Sequence, residues 1–206
     1  MSIDWLSIAK RLKTISQAGK TFAKDDYEMQ RHLDLEDICA EILAGHTDAD
    51  KNTALSILQE DTGYPTPKSD CRGAIFKDDK ILLVKEIADG GWTMPGGWCD
   101  IDKTPSENVI REVREESGFE VKVLKLAAVY DRDRQGHTPP YPYNIYKMFF
   151  ICEIIGGKAK ASDETSDVKF FTLDEIPRLS VARTLPKQIH RMYEHLKNPE
   201  LPTDYD

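Results

Sequence analysis

Glu112, Glu115 and Glu116 stand three and four residues apart in the run VIREVREESGF, so a helix there carries all three carboxylates on one face. Like charges at that spacing oppose helix formation by only about 0.2–0.5 kcal/mol per pair. The repulsion alone therefore proves no function, and a solvated face with a Glu107, Arg111, Glu115 ladder accounts for it equally well. What changes the reading is the stretch Met94–Pro95–Gly96–Gly97 just upstream. Paired glycines let bare backbone approach a ligand or aim a carbonyl inward. Hard divalent cations take carboxylate and carbonyl oxygens and keep waters that substrate phosphates can replace. A glycine loop facing a helix of three glutamates offers that oxygen set.

The elements that must hold these groups are legible nearby. Thr104–Pro105–Ser106–Glu107 reads as a capping box with proline at the first helical position, and Gly118 ends the helix. Before it, residues 73–76 and 81–85 read as strands joined by a turn at 77–80, and after it 121–130 and 146–155 read as longer strands, with Tyr146, Phe149 and Phe150 assigned to the core. Ile189, Met192, Tyr193 and Leu196 mark one face of a further helix. Strands interrupted by a middle and a late helix imply a sheet packed between helices. The region before Pro67 differs. Trp5, Ile8, Ala9, Leu12 and Ile15 recur at helical spacing, as do Leu35, Ile38, Cys39, Ile42 and Leu43. A shorter helix follows over about residues 50–59, and TGYPTP at 62–67 has linker composition. The division expected is a helical dimerisation segment at 1–66 and a catalytic domain at 67–206. The thin core of the leader predicts that its apolar stripes dock on the other domain or on a second subunit.

Composition narrows the functions. A formal charge of -8 on 206 residues argues against indiscriminate duplex binding, which depends on lysine and arginine neutralising phosphates. It leaves room for a polyanionic substrate if divalent cations lie between protein and phosphate. The four cysteines form no CxxC pair, so free thiols are expected rather than a zinc site or disulfides. No apolar run reaches the roughly 18 residues of a membrane helix, and the first residues lack a signal-peptide layout; a cytoplasmic protein with no membrane partner is the expectation.

Gly97 followed by Arg111–Glu112–Val113–Arg114–Glu115–Glu116–Ser117–Gly118–Phe119 resembles the Nudix box, G-x5-E-x7-R-E-U-x-E-E-x-G-U. The first glutamate of that pattern falls on Lys103. The PGG lead-in and the run Phe170–Phe171–Thr172–Leu173–Asp174–Glu175–Ile176–Pro177 resemble flanks of many Nudix domains. The helical leader, GGW-x-D and PYPYNIYKMFF are similar to a subgroup of bacterial Nudix hydrolases that includes CDP-choline pyrophosphatase and enzymes acting on ADP-ribose.

The resemblance implies an α/β fold, a Nudix-type α/β/α sandwich with a mixed sheet behind a small helical segment, and a homodimer built partly through that segment. It implies hydrolysis of a nucleoside diphosphate linked to X, of CDP-choline or ADP-ribose type, to two monophosphates with Mg2+ or Mn2+. Gly97, Glu112, Glu115 and Glu116 would supply metal ligands. Glu115, Glu116, Arg111 and Glu164 would be catalytic, with Arg111 anchoring the glutamates and Glu164, on the loop before the Phe–Phe strand, as general base. With Lys103 at the glutamate position, Glu107 or Asp102 is expected to hold Arg111 instead. Arg72, Trp92, Arg132, His137 and Tyr143 have the side-chain types to bind phosphate or stack a base. His137 lies in the proline-rich GHTPPYPY loop, expected to cover a site. Two other readings stay open: an RNA-processing phosphohydrolase, and a catalytically weakened nucleotide-sensing regulator. Base, X, the number of ions and the bond broken are not fixed by the sequence.

Overall fold

A computed structural model describes residues 4–141 and 143–206. The chain forms two compact units, residues 1–67 and 68–206.

The first unit is three helices, α1 (Trp5–Phe22), α2 (Asp26–His46) and α3 (Lys51–Gln59). Each starts on an aspartate whose carboxylate accepts a backbone N–H in the first turn: Asp4 from Ser7 at 3.0 Å, Asp25 from Glu28 at 2.8 Å and Asp50 from Thr53 at 2.9 Å. Gly19 lets α1 and α2 close on each other, since a Cβ there would lie 2.0 Å from the His32 ring. The interior is small and partly polar. Cys39, Ala40, Ala54 and Leu58 form its core, with Leu12, Leu43 and Leu55 packed against them. Lys13, Ser16, Gln17 and Glu36 are also buried, and Glu36 is paired with Lys20. The apolar stripe expected on α1 is therefore split: Ala9 is buried, whereas Ile15 is 56% exposed. Phe22, Leu33 and Ile38 are exposed too. A groove of about 560 Å3 runs between α1 and α2, lined by Gly19, Phe22, His32, Leu35 and Ile38 among others.

The second unit contains β1 (Lys68–Lys77), β2 (Lys80–Glu86), β3 (Trp92–Thr93), α4 (Pro105–Ser117), β4 (Phe119–Asp131), β5 (Ile145–Gly157), β6 (Thr165–Phe171), α5 (Pro186–Lys197) and β7 (Asp204–Tyr205). The strands make one mixed sheet in the order β3-β2-β1-β5-β4-β7, with β6 also pairing β2. β1 runs parallel to β5, and β7 parallel to β4; the other pairs are antiparallel. Asp78 and Asp79 take left-handed φ values of 51° and 58° at the β1–β2 turn, the conformation a two-residue hairpin of matching twist requires.

Helices cover both faces of the sheet, as an α/β/α sandwich demands. On one face Val109 and Val113 of α4 pack with Cys71, Ile75, Leu82, Phe150 and Cys152. On the other, Ile189 and Met192 of α5 pack with Ala74, Leu83, Trp92, Met94 and Phe149. Tyr146 departs from its expected place in the core: it is 46% exposed, because alternation along β5 buries Ile145 and Lys147 and turns Tyr146 outward. All four cysteines are free. Among the described residues no helix is long and apolar enough to cross a membrane.

Candidate active site

α4 begins with the capping box read from the sequence, Thr104 and Glu107 each satisfying the other's backbone N–H, and ends on Gly118 at φ 75°. Its apolar side lies so close to β1 that a Cβ on Gly73 would sit 2.7 Å from Val113 Cγ2. That seating leaves Glu112 and Glu116, one turn apart, against the Gly96–Gly97 loop. Gly96 has φ 141°, and a Cβ there would lie 2.0 Å from the Cys71 carbonyl, so no other residue fits. The loop is pinned to β1 by Gly73 N–H to Pro95 O at 2.8 Å, Cys71 N–H to Gly97 O at 2.9 Å and Cys99 N–H to Ser69 O at 3.0 Å.

Glu116 is 5% exposed and accepts the Gly96 N–H at 2.8 Å. Burial pushes its carboxyl up to about 8, Glu112 and Glu86 adding to the rise while Arg72 and the Gly96 N–H oppose it. The Glu112 carboxylate lies beside Gly97, 3.1 Å from where a Cβ would stand, and burial raises its pKa as well. Glu115 is directed differently. Its side chain is 54% exposed and pairs with Arg111 Nη1 at 2.7 Å.

Arg111 binds Glu112 at 2.7 Å and Asp100 at 3.2 Å. Neither residue expected to replace the missing glutamate does so. Glu107 is occupied by the cap at Thr104, and Asp102 takes a left-handed φ of 63° in the loop. Asp100 is the partner instead, and its Oδ2 also receives Lys103 at 3.1 Å. Lys103 thus shares a carboxylate with Arg111 while its side chain stays exposed.

The five expected substrate contacts separate. Arg72, 4% exposed, forks onto Asp70 with Nε–Oδ1 at 3.1 Å and Nη2–Oδ2 at 2.8 Å. Arg132 is equally buried and donates to Pro139 O at 2.7 Å. These two line one cavity of about 150 Å3, together with Asp70, Trp98, Tyr141, Lys147 and Arg183. Trp92 is a buried core residue, its ring centroid 4.7 Å from that of Phe171 and the Lys169 ammonium 5.8 Å over it. His137 is buried; its Nδ1–H donates to Val181 O at 2.8 Å and its Nε2 accepts from Gln188 at 3.0 Å. Desolvation, with Lys147 adding to it, lowers its pKa to about 4. Both ring nitrogens are engaged within the protein in this structure, tying the loop to Val181 and Gln188. Tyr143 stands edge-on to Tyr141 with the Lys68 ammonium 4.7 Å over its ring.

Glu164 is exposed, its carbonyl accepting the Ile87 N–H at 3.0 Å. Its neighbour Thr165 donates to Glu116 O at 2.7 Å, which ties the loop before β6 to the end of α4. Glu86 was missed by the sequence reading. It is 7% exposed, paired with Arg183 at 3.1 Å, and close enough to Glu116 and Glu164 for their charges to be felt. A glutamate closing the apolar run ILLV was the available signal, since a charge is rarely buried without a partner.

Family comparison places this geometry. A family model described as the NUDIX domain matches residues 67–196. The chain belongs to the Nudix family. It is a Nudix pyrophosphohydrolase, and its leader, residues 3–58, matches a model described as the UDP-X-like N-terminal oligomerisation domain. Nudix hydrolases generally use divalent metal ions. Over 202 residues it is 40% identical to YjhB of Bacillus subtilis (strain 168), a protein named provisionally as an ADP-ribose pyrophosphatase, covering 98% of this chain and 97% of that one. A crystal structure of a UDP-X diphosphatase is 30% identical with a TM-score of 0.64, over 98% of both chains. The ADP-ribose pyrophosphatase structure from Streptococcus suis 89-1591 is 37% identical with a TM-score of 0.63, covering 68% of this chain and all of that one.

Proposed function

We propose that this Nudix hydrolase cleaves the diphosphate of an ADP-ribose-type substrate to two monophosphates, using Mg2+ or Mn2+ held at Glu112, Glu116 and the Gly97 carbonyl. The observation that carries the reading is the pair of desolvated carboxylates, Glu112 and Glu116, against a glycine loop with Arg72 beside them. Among the described residues no three His, Cys, Asp or Glu side chains form a ready metal cluster. The donor set nevertheless suits a hard cation: two carboxylates of raised proton affinity are oxygens short of positive charge, the Gly97 carbonyl keeps a second lone pair beyond the one that accepts the Cys71 N–H, and substrate phosphate and water complete such a shell. A bound divalent ion supplies Lewis acidity, offsetting charge on the diphosphate and lowering the pKa of water.

The chain's own groups do the rest. The Gly96 N–H fixes the Glu116 carboxylate, and Arg111 braces Glu112 and Glu115. Glu115, paired with Arg111 on the exposed side of α4, would serve as a further ligand or a water-orienting group. A proton leaving the attacking water has Glu164 as its acceptor, on a loop tied by Thr165 to α4, with Glu86 behind it.

Relatives named for ADP-ribose favour that substrate, and the full-length likeness to a UDP-X diphosphatase makes a UDP-sugar the second substrate to test. Purified full-length protein with Mg2+ or Mn2+ is assayed on ADP-ribose, CDP-choline and a UDP-sugar, with phosphatase added to release phosphate from the monophosphates. ADP-ribose is expected to give the highest kcat/KM. No release from any of the three at saturating metal overturns the reading, and cleavage of RNA ends in preference to all of them would favour the RNA alternative.

The Asp100 brace yields a further expectation. Asp100→Asn should lower kcat/KM about tenfold, the lower end of what outer-shell groups of metal sites contribute. Lys103→Glu should stay within about fivefold of wild type, because the exposed Lys103–Asp100 pair is worth at most about 1 kcal/mol. Steady-state kinetics on both variants checks this; a large KM rise in Lys103→Glu would instead make Lys103 a phosphate ligand.

A further inference from the structure

The second unit buries more positive than negative charge at one place. Asp70 on β1 and Lys147 on β5 are register partners across a parallel strand pair, so their side chains leave the sheet side by side. Arg72, two residues along β1, shares that face. The single Asp70 carboxylate therefore serves two buried cations, accepting from Arg72 at 2.8 Å and 3.1 Å and from Lys147 at 2.6 Å. Lys147 is only 2% exposed. A third cation, Arg132, reaches the same cavity, and its carboxylate neighbour Asp133 lies 3.4 Å away and is 39% exposed. The fourth, Arg183, is matched by Glu86. Among the described residues that line the cavity, Asp70 is the one carboxylate against Arg72, Arg132, Lys147 and Arg183, and Lys147 has no other carboxylate bonded to it; Glu116 and Glu86 act on Arg72 from outside the cavity.

Burying an unmatched cation is unfavourable unless something pairs with it. Burial, and then Arg72 and Arg132, pull the Lys147 ammonium down to about 8 against the opposing pull of Asp70. The cavity beside it measures about 150 Å3, well below the roughly 300–1,000 Å3 that encloses a whole ligand. One phosphate group fits that size and that charge. Trp98 and Tyr141 also line it, their ring centroids 6.1 Å apart, and the Arg132 guanidinium lies 5.4 Å over Tyr141. Arg72 links the cavity to the carboxylate site, since it senses the charges of both Asp70 and Glu116.

We propose that this cavity is an anion subsite in which Lys147 and Arg132 bind the substrate phosphate that is not attacked. This rests on the reading of the protein as a diphosphate hydrolase and adds to it the residues that recognise the second phosphate. Inorganic phosphate and a monophosphate product present the same chemistry and compete for the subsite.

The test uses full-length wild type, Lys147→Met and Arg132→Gln, in two arms. In the first, inorganic phosphate is titrated in EDTA, where no turnover occurs, and Tm is followed against chloride at equal ionic strength. Wild type is expected to gain Tm with phosphate and both variants to lose that gain. Lys147→Met should keep the native circular dichroism and a starting Tm no lower than wild type, because Asp70 and Arg72 remain paired. In the second arm, with metal and the best substrate, Lys147→Met should raise KM about tenfold and the inhibition constant for phosphate in step, with kcat changing less than about threefold.

A phosphate response and KM equal to wild type in a folded Lys147→Met overturn the subsite. Should that variant fail to fold, an undiminished phosphate response in Arg132→Gln does the same. Hydrolysis with an unaltered phosphate response in the variants removes the subsite and keeps the enzyme reading; a response lost in the variants, in a protein that hydrolyses none of the substrates, keeps the subsite and removes the enzyme reading.

Discussion

Glu116→Gln is expected to lower kcat by about 100-fold or more while making the metal-free protein more stable. The two effects have one origin. Glu116 is buried beside Glu112 and Glu86 and receives one backbone N–H, from Gly96 at 2.8 Å. Its charge is favourable when a divalent ion faces it and unfavourable when nothing does. Glutamine can still accept that N–H and fills nearly the same volume, so the fold is retained and the ligand charge is lost. The pH dependence follows from the sign of the shift. The folded carboxyl is raised from an ordinary 4.5 to about 8, so the wild-type contribution to stability is fully present below about pH 4.5 and is lost as pH climbs through about 8. In EDTA, wild type and Glu116→Gln should therefore melt together at pH 4.5 and separate by pH 8.5, the variant melting higher. Each tenfold difference in proton affinity is about 1.4 kcal/mol, or very roughly 3–6 °C at this chain length. Kinetics at saturating Mg2+ and thermal melts at the two pH values measure both halves. Turnover close to wild type would remove Glu116 from the metal site.

Removing residues 1–62 is expected to turn a dimer into a monomer or an aggregate. We infer the dimer from the leader. Its core consists mainly of small side chains, Cys39, Ala40 and Ala54 with Leu58, while Ile15, Phe22, Leu33 and Ile38 are left exposed on α1 and α2. Exposed apolar surface gathered on two neighbouring helices marks an association site, and the match to an oligomerisation domain at residues 3–58 agrees. A second copy laying the same faces against these gives the closed two-fold contact usual for homo-oligomers. Sedimentation at micromolar concentration decides it. The full chain should run at twice its 23.4 kDa and the shortened chain at its own mass or as aggregate; a full chain sedimenting as a monomer overturns the inference.

What the sequence revealed divides by the range of the interactions involved. The α4 signals are local: a cap within four residues, a proline at the first turn, a glycine at the end. Helix and glutamate face were accordingly legible, and so was the glycine loop. Asp100 as the partner of Arg111 was not, because it depends on how the loop turns at Asp102, a backbone choice the side-chain types do not announce. Trp92 and His137 carried the right chemistry for ligand contacts, but packing decided otherwise and placed both in the interior. Tyr146 was assigned inward from its aromatic type, whereas strand alternation turned it outward. The largest omission, the buried Asp70–Lys147 pair, joins residues far apart in sequence. Only the parallel registration of β1 with β5 brings them together, and the individual runs do not encode that pairing.

That same pairing constrains how the protein can change over evolutionary time. Losing Lys147 alone should be tolerable for the fold, since Asp70 keeps Arg72, but losing Asp70 alone would deprive two buried cations of their shared carboxylate. The expected order of loss is therefore the lysine first. A relative that carried the aspartate without the lysine would keep this interior intact, and on the proposed subsite its hold on the second phosphate is what that step would weaken.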